Sequence, residues 1–218
     1  MIAWTQIDSI LLDMDGTLLD LHFDNHFWLE HVPRRYGEKH GMSPAAAKAE
    51  LYPRFRAIEG TLNWYCVDHW TRELGLDIAL LKQEVEHLIA VHPHVPDFLA
   101  AARAAGKQLT LVTNAHSKAL ELKFRRTRLG PYFDRVICSH DLGLPKEHLP
   151  FWEKLHAIAP FTRERTLLID DSLPVLRSAQ AYGMGHLLAV KQPDSKGPPK
   201  AHEGFAAITS FRDLLPLN

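Results

Sequence analysis

Five short apolar runs punctuate the chain, at residues 8–13 (DSILLD), 108–113 (QLTLVT), 135–139 (RVICS), 166–171 (TLLIDD) and 186–190 (HLLAV). Runs of five or six residues bounded by polar ones are read as buried strands rather than helices. From residue 96 onward they alternate with segments whose apolar positions recur three and four residues apart. That alternation predicts a parallel sheet covered by helices. Helix punctuation agrees: Pro96 opens one segment and Gly106 closes it, Ser117 is placed to cap the next with Gly130 beyond its end, and Ser172 caps another that Gly183 stops.

Between the first and second runs, residues 21–93 carry helical spacing (for example at 43–58 and 61–74) and no strand pattern. A crossover between parallel strands needs only a dozen or so residues. The excess predicts a helical domain at 21–93, inserted into an α/β core made of 1–20 and 94–218. The core is expected to be a Rossmann-like parallel sheet with helices on both faces, with a hinge near HPH at 92–94. Residues 191–204 (KQPDSKGPPKAHEG) are read as a flexible loop in preference to a wall of the site. No internal repeat or low-complexity tract is present.

Composition narrows the function without choosing it. The 218 residues are 46% hydrophobic and 23% charged, with a formal net charge of -1, so there is no broad field to attract a nucleic acid polymer or an anionic membrane. The basic cluster KFRRTR at 123–128 has no interleaved aromatics and is read as a solvated helix face. No apolar run approaches the roughly 18 residues of a membrane span, and MIAWTQID lacks the features of a signal peptide. Cys66 and Cys138 stand apart, which argues against a disulfide framework or zinc site and fits a reducing cytoplasm. The fourteen histidines form no HExxH-like spacing and are read as solvated or structural. A monomer or weak homodimer is expected.

The chemistry lies where the runs end. In open parallel sheets ligands bind beyond the carboxyl ends of the strands. There the chain places Asp13, Asp15, Gly16 and Thr17 (in LLDMDGTLLD, 11–20), then Thr113 and Asn114, then Lys146, then Asp170, Asp171 and Ser172. Four carboxylates at one edge repel one another unless a cation lies among them, and an all-oxygen set selects a hard ion, Mg²⁺. An EF-hand loop is excluded, because Thr17 and Leu18 stand where it needs an Asp or Asn and the glycine. Lys146, Thr113, Asn114 and the helix N-termini are anion binders, so the set fits phosphoryl transfer. Asp13 is the expected nucleophile, Asp15 the general acid and base at strand period two, and Gly16 the residue that lets the turn close under the phosphate.

DMDGT, the Thr113 strand end, Lys146 and the Asp170-Asp171 pair resemble, in order and spacing, the four motifs of the haloacid dehalogenase superfamily, and the insert resembles its C1 cap. The resemblance covers the whole chain. It implies Mg²⁺ held by the Asp13 carboxylate, the Asp15 backbone carbonyl and Asp171, with Asp170 assisting. FDNHFW (23–28), TLNWYCVDHW (61–70), TNAH (113–116) and LLDLHFDN (18–25) resemble more narrowly the GMP/IMP nucleotidase branch, whose members are cytoplasmic phosphatases of purine 5′-mononucleotides.

That resemblance implies a small phosphate monoester as substrate and a cap that selects it. Asp24, Asn25 and Asn63 are expected to read base or ribose. Trp64 can carry the ring, while the tryptophans Trp28, Trp64 and Trp70 and nearby Tyr65 also have a cap core to fill. The cap shows little basic character for a second phosphate or carboxylate. The competing readings are a phosphatase or mutase for a small metabolite such as phosphoglycolate or a sugar phosphate, and a non-catalytic binder. Asp15 argues against dehalogenase chemistry.

Overall fold

All five expected runs are strands, and a sixth follows them. In the computed structural model, which describes residues 2–217, β1 (Ser9–Leu12), β2 (Gln108–Thr113), β3 (Arg135–Cys138), β4 (Thr166–Asp170), β5 (His186–Val190) and β6 (Ala206–Ile208) form one sheet in the order β3-β2-β1-β4-β5-β6. Every pairing is parallel. The helices, in chain order, are α1 (His22–His26), α2 (Val32–His40), α3 (Pro44–Ala57), α4 (Leu62–Tyr65), α5 (Val67–Leu74), α6 (Ile78–Glu84), α7 (Val95–Ala104), α8 (Ser117–Thr127), α9 (Ser139–Leu142), α10 (Leu149–Ile158) and α11 (Leu173–Tyr182).

Alternate residues of the central strands feed two separate cores, as the strand period of two requires. Ile10, Leu12, Leu109, Leu111, Leu167 and Ile169 pack with Phe98 and Leu99 of α7 and Leu120 of α8. Leu11, Val112 and Leu168 pack on the other face with Phe151, Trp152 and Leu155 of α10 and Val175 and Leu176 of α11. Both faces being covered explains why these strands read as unbroken apolar runs.

Helices α1–α6 enclose a third core, in which Phe23, Phe27, Leu51, Phe55, Trp70, Ile78 and Leu81 are buried. Ser43 and Asp77 cap α3 and α6 by accepting from the N–H groups of Ala46 and Leu80 (3.2 and 2.9 Å), and Gly41 and Gly75 end α2 and α5 at φ 67° and 61°. α1 runs into α2 through a π-helical stretch, Phe27–His31. Pro33 has no N–H to offer the Leu29 carbonyl one turn back, and the Tyr52 hydroxyl donates to that carbonyl instead (2.8 Å). Two antiparallel linkers join this unit to the sheet: Asp20 N–H donates to Ala90 O and His92 N–H to Leu18 O, both at 2.9 Å.

Two helix signals resolve differently from expectation. The cap of α8 is His116, whose ring nitrogen accepts from Lys118 N–H, and Ser117 is the first helical residue. The same helix ends at Arg128 in the left-handed region (φ 57°), two residues before Gly130. No helix among the described residues is long and apolar enough to cross a membrane, and both cysteines are free.

Candidate active site

Sheet register assembles the site. Leu12 lies opposite Leu111 on one side and Ile169 on the other, so the next residues, Asp13, Val112 and Asp170, emerge at one level. Asp13 N–H extends the ladder to Ile169 O (3.1 Å). Lys146, from the turn before α10, is 2% exposed and inserts between the two acids. Its Nζ donates to Asp13 Oδ1 (2.5 Å), Asp170 Oδ2 (2.7 Å) and Val112 O (3.1 Å), which uses all three of its protons. Burial alone would depress this lysine, but the two carboxylates outweigh it and hold the ammonium charged. Burial pushes Asp13 and Asp170 up to about 6 against the pull of Lys146.

After Asp15 the chain folds back on itself. Gly16 N–H donates to Leu19 O (2.7 Å), and the N–H groups of Leu18 and Leu19 donate to Met14 O (3.0 and 2.8 Å). Gly16 has φ +88°, and a Cβ there would lie 2.7 Å from Cγ and Oδ2 of Asp171, so only glycine fits against that carboxylate. Asp171 also accepts from Lys200 Nζ (2.8 Å). Asp13, Asp170 and Asp171 bring one oxygen each within 4.8 Å of one another. Three buried, mutually repelling carboxylates with an all-oxygen donor set fit a hard divalent cation.

Asp15 meets a residue that was expected in solvent. Lys123 is 2% exposed and lies 2.7 Å from Asp15 Oδ1 and 2.7 Å from Asp24 Oδ2, while Lys82, 3% exposed, lies 2.9 Å from Asp24 Oδ1. KFRRTR is therefore not uniformly a solvated face. Lys123 falls four residues after Ala119 and three after Leu120, on the buried stripe of α8, while Arg125, Arg126 and Arg128 face out. Burial pushes Asp15 up to about 6, partly offset by Lys123. Burial opposes ionisation of Asp24 too, but Lys123 and Lys82 hold it well below the carboxylate range.

Asp24 thus has a structural role that the sequence did not announce. It lines the cavity, but its two oxygens neutralise two buried lysines. Asp24→Ala is therefore expected to leave two buried ammonium groups sharing one acid. The cost is about 3–5 kcal/mol, a fall in Tm of about 10 °C by differential scanning calorimetry, and aryl phosphate turnover falls together with nucleotide turnover.

The remaining predicted residues divide. Thr113 Oγ1 accepts from Ala115 N–H (3.0 Å), leaving its hydroxyl proton for an anion. Asn114 Oδ1 accepts from Lys146 N–H (3.0 Å) and its Nδ2 donates to Glu147 Oε2 (3.0 Å), so its side chain is engaged within the protein. Asn25 donates to Asp194 Oδ2 (2.7 Å). The loop at 191–204 is thus fastened to the helical domain and borders the site, with Pro193 O accepting from Leu21 N–H (2.8 Å) and Lys200 reaching Asp171. Asn63 is exposed and outside the cavity, because α4 turns Trp64 and Tyr65 inward in its place. Trp28 and Trp64 stack at 5.9 Å and 30°, half-buried, on the wall of a cavity of about 340 Å³ that reaches down to Asp13, Lys146 and Asp171. Trp70 is buried in the helical core.

Sequence reasoning did not single out Lys82, Lys123, Glu147 or Lys200. Two carried a usable signal. Lys82 sits in the apolar stripe of α6 formed by Ile78 and Leu81, with Val85 buried just past the helix end, and Lys123 in that of α8; a lysine at a core position calls for a buried acid.

The model of the haloacid dehalogenase-like hydrolase family matches residues 7–183. Across 218 aligned residues, 99% of this chain and 97% of the relative, the sequence is 40% identical to the GMP/IMP nucleotidase YrfG of Escherichia coli (strain K12). A phosphoglycolate phosphatase of Salmonella typhi is 30% identical over 138 residues, covering 57% of this chain and 49% of that protein. The crystal structure of a HAD phosphatase from Thermococcus onnurineus shares the fold at a TM-score of 0.81, with 22% identity over 95% of this chain and 96% of that one.

Proposed function

Because this chain belongs to the haloacid dehalogenase-like hydrolases, we propose that it is a Mg²⁺-dependent phosphomonoesterase that cleaves the 5′-phosphate from purine mononucleotides, GMP and IMP foremost. The observation that carries the substrate is the full-length likeness to a GMP/IMP nucleotidase. The cavity agrees: its floor holds the acids and Lys146, and its wall offers the Trp28–Trp64 pair for a flat ring.

In this reading the Asp13 carboxylate attacks phosphorus as the bond to the ribose 5′ oxygen breaks, forming an aspartyl-phosphate. Asp15 gives its proton to the departing oxygen, then takes one from the water that hydrolyses the acyl phosphate and frees Asp13. The Thr113 hydroxyl holds a phosphate oxygen, and Lys146, whose three protons are already engaged, adds its positive charge beside it. Asp13, Asp171, Asp170 and the Asp15 backbone carbonyl would hold Mg²⁺, which supplies positive charge beside the phosphate when bound.

The test is phosphate release across nucleotides, sugar phosphates and phosphoglycolate, with Mg²⁺ present. GMP and IMP are expected to lead in kcat/KM. A lead for phosphoglycolate or a hexose phosphate would overturn the substrate and leave the phosphatase standing.

A second expected outcome needs no turnover. Asp13 and Asp170 bind protons more tightly folded than unfolded, so their contribution to stability is present below pH 4 and is lost as pH rises through about 6. A cation bound to the ionised cluster offsets that loss. At about a hundredfold excess over its Kd, Mg²⁺ is expected to raise Tm by roughly 5 °C or more at pH 7.5 and by much less at pH 5, where protons compete for the same oxygens. Equal shifts at both pH values would place the ion elsewhere.

A further inference from the structure

We infer that Tyr65 of the helical domain and Glu147 of the core are positioning residues that couple the seating of the helical domain to the phosphate-binding end of β2. The inference rests on the phosphatase reading of that edge. Tyr65 Oη donates to Glu147 Oε1 (2.5 Å), and Glu147 Oε2 accepts from Asn114 Nδ2 (3.0 Å). Asn114 Oδ1 accepts from Lys146 N–H (3.0 Å), and Lys146 Nζ grips Asp13 and Asp170. An unbroken chain of hydrogen bonds thus runs from a residue of the inserted domain to the nucleophile.

The polarity of the chain is forced. Lys146 N–H can only donate, so it fixes the Asn114 oxygen toward itself and aims the Asn114 amide protons at Glu147. Rotating that amide would set donor against donor at both ends. Glu147, as a carboxylate, accepts from both sides, and burial with the neighbouring Glu147 charge keeps the Tyr65 hydroxyl protonated as the donor. The contact belongs to a seated face: Asp68, three residues beyond Tyr65, pairs with Lys118 (2.5 Å) at the start of α8. If the helical domain lifts, Tyr65 leaves Glu147, and Asn114 and the Lys146 turn lose the contact that holds them. Tyr65 therefore acts on the phosphate through Glu147 and Asn114.

The experiment measures Kd for inorganic phosphate by calorimetry on the intact protein with Mg²⁺, together with kcat and KM for GMP. Tyr65→Phe and Glu147→Ala are each expected to weaken phosphate about 3- to 10-fold, the worth of one hydrogen bond, and the double variant no more than either single one. Glu147→Gln is expected to bind within twofold of wild type, since its oxygen can face Asn114 and its amide can donate to the tyrosine oxygen. A Tyr65→Phe enzyme with weaker GMP turnover but wild-type phosphate affinity would make Tyr65 a nucleoside contact and overturn the coupling. Additive single effects would also overturn it. Wild-type protein that binds no phosphate would remove the phosphate site itself, and the coupling with it.

Discussion

Replacing Asp13 with asparagine is expected to lower turnover by at least about 10⁴-fold while leaving the protein folded. An amide cannot supply the oxygen nucleophile, and no other acid can take its place. Asp170 is held by Lys146 and by Ser172 N–H, and Asp171 is packed against the turn at Gly16. The stability effect should run the other way. The amide oxygen can still accept from Lys146, and the substitution removes one charge from a cluster of three buried acids. Without metal, Asp13→Asn should therefore melt at or above the wild-type temperature at neutral pH. Activity within tenfold of wild type, with contaminating phosphatase excluded, would sink the covalent mechanism. A sharply lower Tm would show that the Asp13 charge holds the site together.

The fold was legible where burial makes sequence monotonous. β1, β2 and β4 lie at the middle of the sheet, and their apolar runs announce them. β6 escaped because its residues, Ala206, Ala207 and Ile208, supply a single bulky side chain, and an edge strand needs no more. The capping of α8 by His116 in place of Ser117 turns on a backbone angle, which residue type does not fix.

The motif acids and Lys146 were legible because strand ends in a parallel sheet converge by topology, so order along the chain maps onto one edge. What could not be read was pairing across domains. Asp24 and Asn25 look like free polar groups in the sequence, and their partners lie 58, 99 and 169 residues away. The loop at 191–204 has the composition of a flexible connection, and only its bonds to Leu21, Asn25 and Asp171 make it a wall of the site. Lysine is by default a surface residue, which concealed Lys82 and Lys123 although both sit in apolar stripes.

Asp15→Asn is expected to separate the two half-reactions. Its carboxyl, pushed up to about 6 by burial, retains a share of protonated acid near neutrality, and Lys123 fixes its direction. Loss of a general acid and base costs about 10²- to 10⁴-fold, and GMP should fall by that range, because a ribose alkoxide is a poor leaving group without a proton. An aryl phosphate differs, since its phenolate departs unaided and Asp13 can still be phosphorylated. The second half-reaction remains crippled for both, because no base is left to activate water. Asp15→Asn mixed with an aryl phosphate should therefore release about one phenol per protein in a fast burst and then nearly stop, with phosphate retained on the peptide that contains Asp13. Wild type should show steady release. A variant that loses the burst as completely as it loses GMP turnover would mean that Asp15 shapes the attack of Asp13, and the proton-transfer role would have to be assigned elsewhere.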